Sequence, residues 1–320
     1  MPIVCAALLS ILILVTPPVR GFGQTLAGAP DGTSLLNAGK DAEARDVFES
    51  VLTSDPANAQ AQDGEVSANE RLALQARAAG NMDDALRPLL RALGFVPHNA
   101  RLLLDLGILE DQMRLFKDAD KSLAAAAQLD PKNALVLYGQ ARVKMDLGQL
   151  ASAKEKMQAY LLLRPDDAGA HYGLGRIYRL GLEFDKAQVE FRRSIELQPA
   201  QTESYYELGD LALKQGNLDE AITQFAKTLE RDPKHGGALE GTGEAYFKKK
   251  QYQQAEDYLN RAVAAAPDYS PCHYYLGLTL ARMGRKQDSD SELATAAKLA
   301  DAENENASTQ YQLLAPPATQ

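Results

Sequence analysis

The chain repeats itself every 34 residues, and this constrains its fold more than any other feature. Ala168 to Gln201 reads AGAHYGLGRIYRLGLEFDKAQVEFRRSIELQPAQ, and Thr202 to His235 reads TESYYELGDLALKQGNLDEAITQFAKTLERDPKH. Leu174-Gly175 thus returns as Leu208-Gly209, Ala187 as Ala221, Phe191 as Phe225 and Pro199 as Pro233. A fixed internal period decides the architecture before any single residue does, because each unit must bury its apolar face against the next.

The period extends well beyond these two units. Pro97 leads through Pro131, Pro165, Pro199 and Pro233 to Pro267, and Ala85 through Ala119, Ala153, Ala187, Ala221 and Ala255 to Ser289. A third series is apolar (Leu89, Leu123, Met157, Phe191, Phe225, Leu259, Leu293), and a fourth stays small (Ala73, Gly107, Ala141, Gly175, Gly209, Gly243, Gly277). Small residues let two helix backbones approach, and the large residue fills the space beside them. Gly148-Gln149-Leu150 and Gly216-Asn217-Leu218 place glycine where one helix ends in a left-handed residue, and the proline closes the unit. Each unit therefore reads as a helical hairpin that depends on its neighbours for stability.

These series resemble the tetratricopeptide repeat family, whose pattern is W-x2-L-G-x2-Y, then A-x3-F, then P, over about 34 residues. The resemblance covers roughly residues 33 to 303 and implies an all-α fold, a right-handed α-solenoid of about eight stacked hairpins.

The array reads as one elongated domain, residues 34–303. Its first unit is partial: Ser34 to Ala38 makes a short first helix at best, while Ala44, Phe48 and Pro56 keep the second-helix pattern. From Pro56 to Pro97 the step is 41 rather than 34. The extra seven residues are about two helical turns, which lengthen a helix while returning its apolar stripe to the same face, so the sequence predicts an extended helix over Ala57 to Ala79. Ahead of the array, Ile3 to Val15 is apolar but too short to span a bilayer, and Gly21-Phe22-Gly23 offers small residues before Gln24. Residues 1–23 are expected to be a signal peptide directing export to the periplasm or outside the cell, with no membrane span in the mature chain. No Lys or Arg precedes the apolar core, which keeps an uncleaved anchor or a misassigned start as alternatives. Residues 24–33 read as a flexible lead-in and 304–320, with Pro316-Pro317, as a disordered tail.

The composition excludes several functions. The net charge is -9 and the longest basic run is Lys248-Lys249-Lys250, so nucleic acid is not an expected partner. His171 and His273 occupy a packing slot at the helix interface, and His98 and His235 follow inter-unit prolines, where exposure is expected. None pairs with another His or Cys at zinc-ligand spacing. Cys272 is expected to be a packing residue, since Cys5 lies inside the apolar leader. Asp83-Asp84 and Asp166-Asp167 sit at helix starts, where negative charge meets the helix dipole. No phosphate-binding loop is present, so neither a cofactor nor enzymatic activity is expected.

A ladder of tyrosines is the feature that points to binding. Successive first helices hold Tyr138, Tyr172, Tyr206, Glu240 and Tyr274 in one slot and Arg142, Arg176, Asp210, Glu244 and Leu278 four residues later, with Arg179 one turn beyond Arg176. Residues four apart share a helix face. In the family this face lines a concave groove that binds peptides. The resemblance therefore implies a noncatalytic scaffold whose groove (Tyr138, Arg142, Tyr172, Arg176, Arg179, Tyr206, Asp210, Tyr274) holds an extended or acidic segment of a partner protein. The alternative partner is a polysaccharide stacked on the tyrosines. The Lys and Asn clamp by which some relatives grip a C-terminal carboxylate is absent, because Tyr and Arg fill those slots.

Overall fold

A computed structural model describes the backbone of residues 31–314 and the side chains of residues 31–302; the expected signal peptide lies outside the described residues. Sixteen α-helices pair as eight hairpins, and no strand occurs among the described residues. They form two compact units, one ending at Pro97 and one beginning at His98, where the sequence reads a single array. The boundary directly follows the stretch whose step departs from 34.

The first unit holds α1 (Gly32–Asn37), α2 (Asp41–Ser54), α3 (Ala59–Ala78) and α4 (Met82–Phe95). Helix α3 is the extended helix expected over Ala57 to Ala79, with 20 residues where the first helices of the second unit have 13. Helix α1 starts at Gly32, because the Asp31 carboxylate accepts from the Ser34 N–H at 2.7 Å and caps it. The lead-in assigned to 24–33 is thus too long by two residues.

The second unit holds α5 (Ala100–Gln112), α6 (Phe116–Leu129), α7 (Ala134–Asp146), α8 (Leu150–Leu163), α9 (Ala168–Leu180) and α10 (Phe184–Leu197). It continues through α11 (Thr202–Lys214), α12 (Leu218–Arg231), α13 (Gly236–Lys248), α14 (Tyr252–Ala265), α15 (Ser270–Arg282) and α16 (Lys286–Leu314). Helix α16 runs past residue 303, so the expected disordered tail is helical through Leu314. Ala302 to Leu314 contains good helix formers and no Gly or Pro, and Pro316 disfavours helix at the residue before it. Residues 315–320 lie outside the described residues.

The periodic series occupy the core as their sizes require. Ala85, Ala119, Ala153, Ala187, Ala221 and Ala255 are all fully buried, and Leu89, Leu123, Met157, Phe191, Phe225 and Leu259 are nearly so. Where the small residue is glycine, the large residue of the same hairpin presses on it: a Cβ added at Gly175 would lie 2.6 Å from the Phe191 ring. The prolines stand in the turn between hairpins, where for example the Asp167 N–H donates to the Arg164 carbonyl across Pro165. The residue after this turn caps the next helix through its side chain, as Asn99, Asn133 and Asp167 do.

Within each hairpin the first helix ends in a left-handed residue. Gly39, Gly80, Gly148, Gly216 and Gly284 serve in five hairpins, but Arg114, Leu182 and Lys250 hold the same slot at φ near +60°. Leu182 has φ of 58° and is 74% exposed, so it bears this strain without packing to offset it. Leu182→Gly is expected to raise stability by about 0.5–1 kcal/mol, the relief of left-handed strain less the added freedom of the unfolded chain. A urea titration of both proteins measures it, and a lower midpoint for the variant would contradict it.

Candidate functional site: the first-helix face of the second unit

First helices of successive hairpins touch one another, α5 with α7, α7 with α9, α11 with α13 and α13 with α15, and Arg179 of α9 reaches Glu207 of α11 at 3.0 Å, so the tyrosine ladder lies along one continuous face. Tyr138 and Tyr172 are half-buried at their bases. The Tyr138 ring lies 5.2 Å from that of Tyr160 on α8, and the Tyr172 ring 5.9 Å from Phe191 on α10. Their exposed portions, with Arg142, Met145, Met157 and Arg176, line a cleft of about 90 Å³. The Arg176 guanidinium lies over the Tyr172 ring, 5.9 Å from its centre.

Other residues of the ladder are occupied by the fold. Arg142 pairs with Asp111 of α5 at 2.8 Å. Arg179 pairs with Glu207 at 3.0 Å and Asp210 at 3.4 Å, both on α11, and Asp210 also meets Lys214 at 2.7 Å. Tyr206 is packing rather than platform: its ring lies 6.0 Å from Phe225 and 4.7 Å from His235, and a Cβ at Gly237 would come 2.9 Å from its hydroxyl. Tyr274 is 47% exposed and meets Tyr275 edge-on at 5.3 Å.

Beyond α11 the face is acidic. Glu240 is half-buried, and burial, then the charges of Glu244 and Asp210, push its carboxyl up to about 7. Glu244 is held by Lys248 at 2.5 Å, and after burial its nearness raises the Tyr275 hydroxyl further. Burial also raises the Glu207 carboxyl, with Arg179 opposing the shift.

Asp111, Glu207 and Tyr275 take part in this face, and reading slot by slot missed them. For two of them a signal existed: the slot that is glycine at Gly139, Gly173 and Gly241 holds Glu207 in α11 and Tyr275 in α15. Asp111 had none, because its partner Arg142 lies on the next hairpin.

The histidines divide differently than expected. His171 and His273 are interface residues as read: each ring places Nδ1 2.6 Å from a second-helix carboxylate, Glu190 or Glu292, and Nε2 2.9 Å from a proline carbonyl, Pro165 or Pro267. His98 is exposed, but His235 is not. It stands in the capping slot of Asn133 and Asp167, one place beyond the slot of His98, and its Nδ1 accepts from the Ala238 N–H at 3.0 Å. Cys272 is fully buried, and burial pushes its thiol up to about 12. No group of three or more metal-ligating side chains is found among the described residues. Larger clefts, of about 510 Å³ beside Leu163-Arg164-Pro165 and about 450 Å³ beside Pro233-Lys234, both follow an inter-hairpin turn and belong to the repeat itself.

The family signature of the tetratricopeptide repeat matches residues 138–202 and 206–270, the stretch that carries the ladder from Tyr138 to Glu240. Residues 138–270 are built of tetratricopeptide repeats. A comparison with curated proteins finds no match. Among solved structures, a tetratricopeptide repeat protein from Parabacteroides merdae ATCC 43184 is 18% identical at a TM-score of 0.59, over 73% of this chain and 93% of its own. PilF of Pseudomonas aeruginosa is 20% identical at 0.58, over 66% and 96%. A MamA structure is 29% identical over 51% and 95%, at 0.47. The first two likenesses show the fold: tetratricopeptide hairpins stacked as in a solenoid.

Proposed function

We propose that this protein is a noncatalytic scaffold that holds an extended segment of a partner protein along the first-helix face of its second unit. One observation carries the reading: Tyr138, Arg142, Tyr172 and Arg176, from two successive hairpins, converge on one cleft. Tyrosine supplies contact area at low entropic cost, and a guanidinium can bond carboxylate or carbonyl oxygens. The geometry favours a peptide over a sugar, because a stacked ring needs an open aromatic face and those of Tyr138, Tyr172 and Tyr206 are partly covered by Tyr160, Arg176 and His235.

The segment ahead of Gln24 supports export as the setting in which this scaffold works. Fractionation tests it: a mature chain beginning at Gln24 is expected outside the cytosol, and a cytosolic chain retaining Met1 would overturn it.

The groove is tested with a photo-crosslinking residue at position 172, and at 189 as control, since Val189 on α10 is 61% exposed and off the ladder. A discrete adduct is expected from 172 alone. Because Tyr172 also packs on Phe191, Arg176→Ala is the cleaner companion variant. It is expected to reduce capture of that adduct's protein by about tenfold with helical content unchanged. Equal adducts from both positions would refute the groove.

A further inference from the structure

Among the charged members of the ladder, most are already neutralised by the fold. Arg142 pairs with Asp111, Arg179 with Glu207 and Asp210, Asp210 also with Lys214, and Glu244 with Lys248. Arg176 and Glu240 stand apart: no ion pair within 4.0 Å is found for either among the described residues, although both are half-buried on the face. Arg176 lines the cleft with Tyr138 and Tyr172. Glu240 takes the slot that is tyrosine in α7, α9, α11 and α15, so one carboxylate replaces one ring in an otherwise aromatic row.

A half-buried ionisable group that makes no ion pair is stabilised in its charged form by an incoming opposite charge. The two lie on α9 and α13, two hairpin steps apart. Neighbouring helix axes are about 8–10 Å apart and Glu240 lies four residues, about 6 Å, before the slot of Arg176, so the separation is about 17–21 Å, which an extended chain rising about 3.3 Å per residue covers in about five or six residues.

We propose that the partner segment carries opposite charges: an aspartate or glutamate side chain against Arg176 and a lysine or arginine side chain against Glu240, about five or six residues apart. This rests on the groove reading above and adds the composition of what the groove holds. The groups facing Glu240 agree with a cationic occupant: Asp210 and Tyr206 from α11, Glu244 and Lys248 from α13, and Cys272 and Tyr275 from α15, of which only Lys248 is positive and it is engaged by Glu244. A cation at this point favours the ionised Glu240, so binding should tighten as the pH rises through about 7.

The test uses the full chain and synthetic extended peptides of neutral polar residues, each bearing one Asp and one Lys about two, five or ten residues apart, with two-Asp and two-Lys peptides as controls. The middle separation is expected to bind about tenfold more tightly than the others. Arg176→Glu is expected to shift preference to the two-Lys peptide, and Glu240→Lys to the two-Asp peptide, with circular dichroism confirming the fold of each. Absence of a preferred separation, no switch in either variant, or no binding of any peptide would overturn the proposal. If position 172 still gives its adduct in that case, the groove reading stands and only the charge assignment falls; if that adduct is also missing, the groove reading falls with it.

Discussion

Phe225→Ala is expected to cost about 3–5 kcal/mol and to split the unfolding of the second unit into two transitions. Phe225 is 1% exposed and sits between two backbones. A Cβ at Gly209 on α11 would come 2.6 Å from its ring, and one at Gly241 on α13 would come 2.5 Å from it. The ring therefore fills space that both first helices leave empty, and Gly209 and Gly241 have no side chains to move in when it is removed. It also ties the α11–α12 hairpin to the α13–α14 hairpin. In a one-dimensional array, cooperativity depends on such nearest-neighbour interfaces. Urea denaturation read by hydrogen exchange, with α12 and α14 followed separately, makes the measurement. One cooperative transition with a loss below about 1 kcal/mol would show that Phe225 is not the junction.

The second large effect concerns Glu65 and pH. Glu65 on α3 is fully buried; the Asn69 side-chain N–H donates to its Oε1 at 2.7 Å, and its Oε2 has no hydrogen-bond partner. Burial first, then the charge of Glu49, pushes its carboxyl from 4.5 up to about 7, while Asn69, Arg45 and Arg91 pull the other way. The folded first unit thus keeps a proton that the unfolded chain releases near 4.5. Its contribution is fully present below pH 4.5 and is lost as the pH rises through about 7. Over that window the loss is about 3 kcal/mol. Glu65→Gln keeps the shape and removes the ionisation, so it is expected to stabilise the first unit by a similar amount at pH 8 and to leave it unaffected near pH 4. Exchange of the α3 amides, compared between the two proteins at both pH values, decides the matter. Equal protection of both proteins at pH 8 would refute it.

Much of the fold was legible because it depends on residue size and backbone freedom, which each 34-residue unit states for itself. The alanine and large-residue series predict which positions are buried, Gly148 and Gly216 predict left-handed turns, and the 41-residue step predicts α3. The misreadings have local causes. Nearness to a proline groups His235 with His98, but His235 stands in a capping slot. Pro316-Pro317 suggests a disordered tail from residue 304, but the residues ahead of it favour helix.

The candidate site was legible only in outline. The face shared by Tyr138, Tyr172, Arg142 and Arg176 follows from helical periodicity, but the availability of each group does not. Tyr206 and Tyr172 hold the same slot, yet Tyr206 packs against Gly237 and His235 while Tyr172 borders a cleft, because the residues facing that slot differ between hairpins.

From the chain of amino acids alone came the period, the hairpins, the packing residues and the row of tyrosines, since all of these are set by steric rules within one unit or between identical slots. Tertiary structure alone decided which charges are spent and which are left. Arg142 meets Asp111, and Arg179 meets Glu207 and Asp210, across hairpin boundaries. Ion pairing depends on the neighbour that packing brings within reach, and a repeat pattern leaves the exposed residues of each unit free to differ.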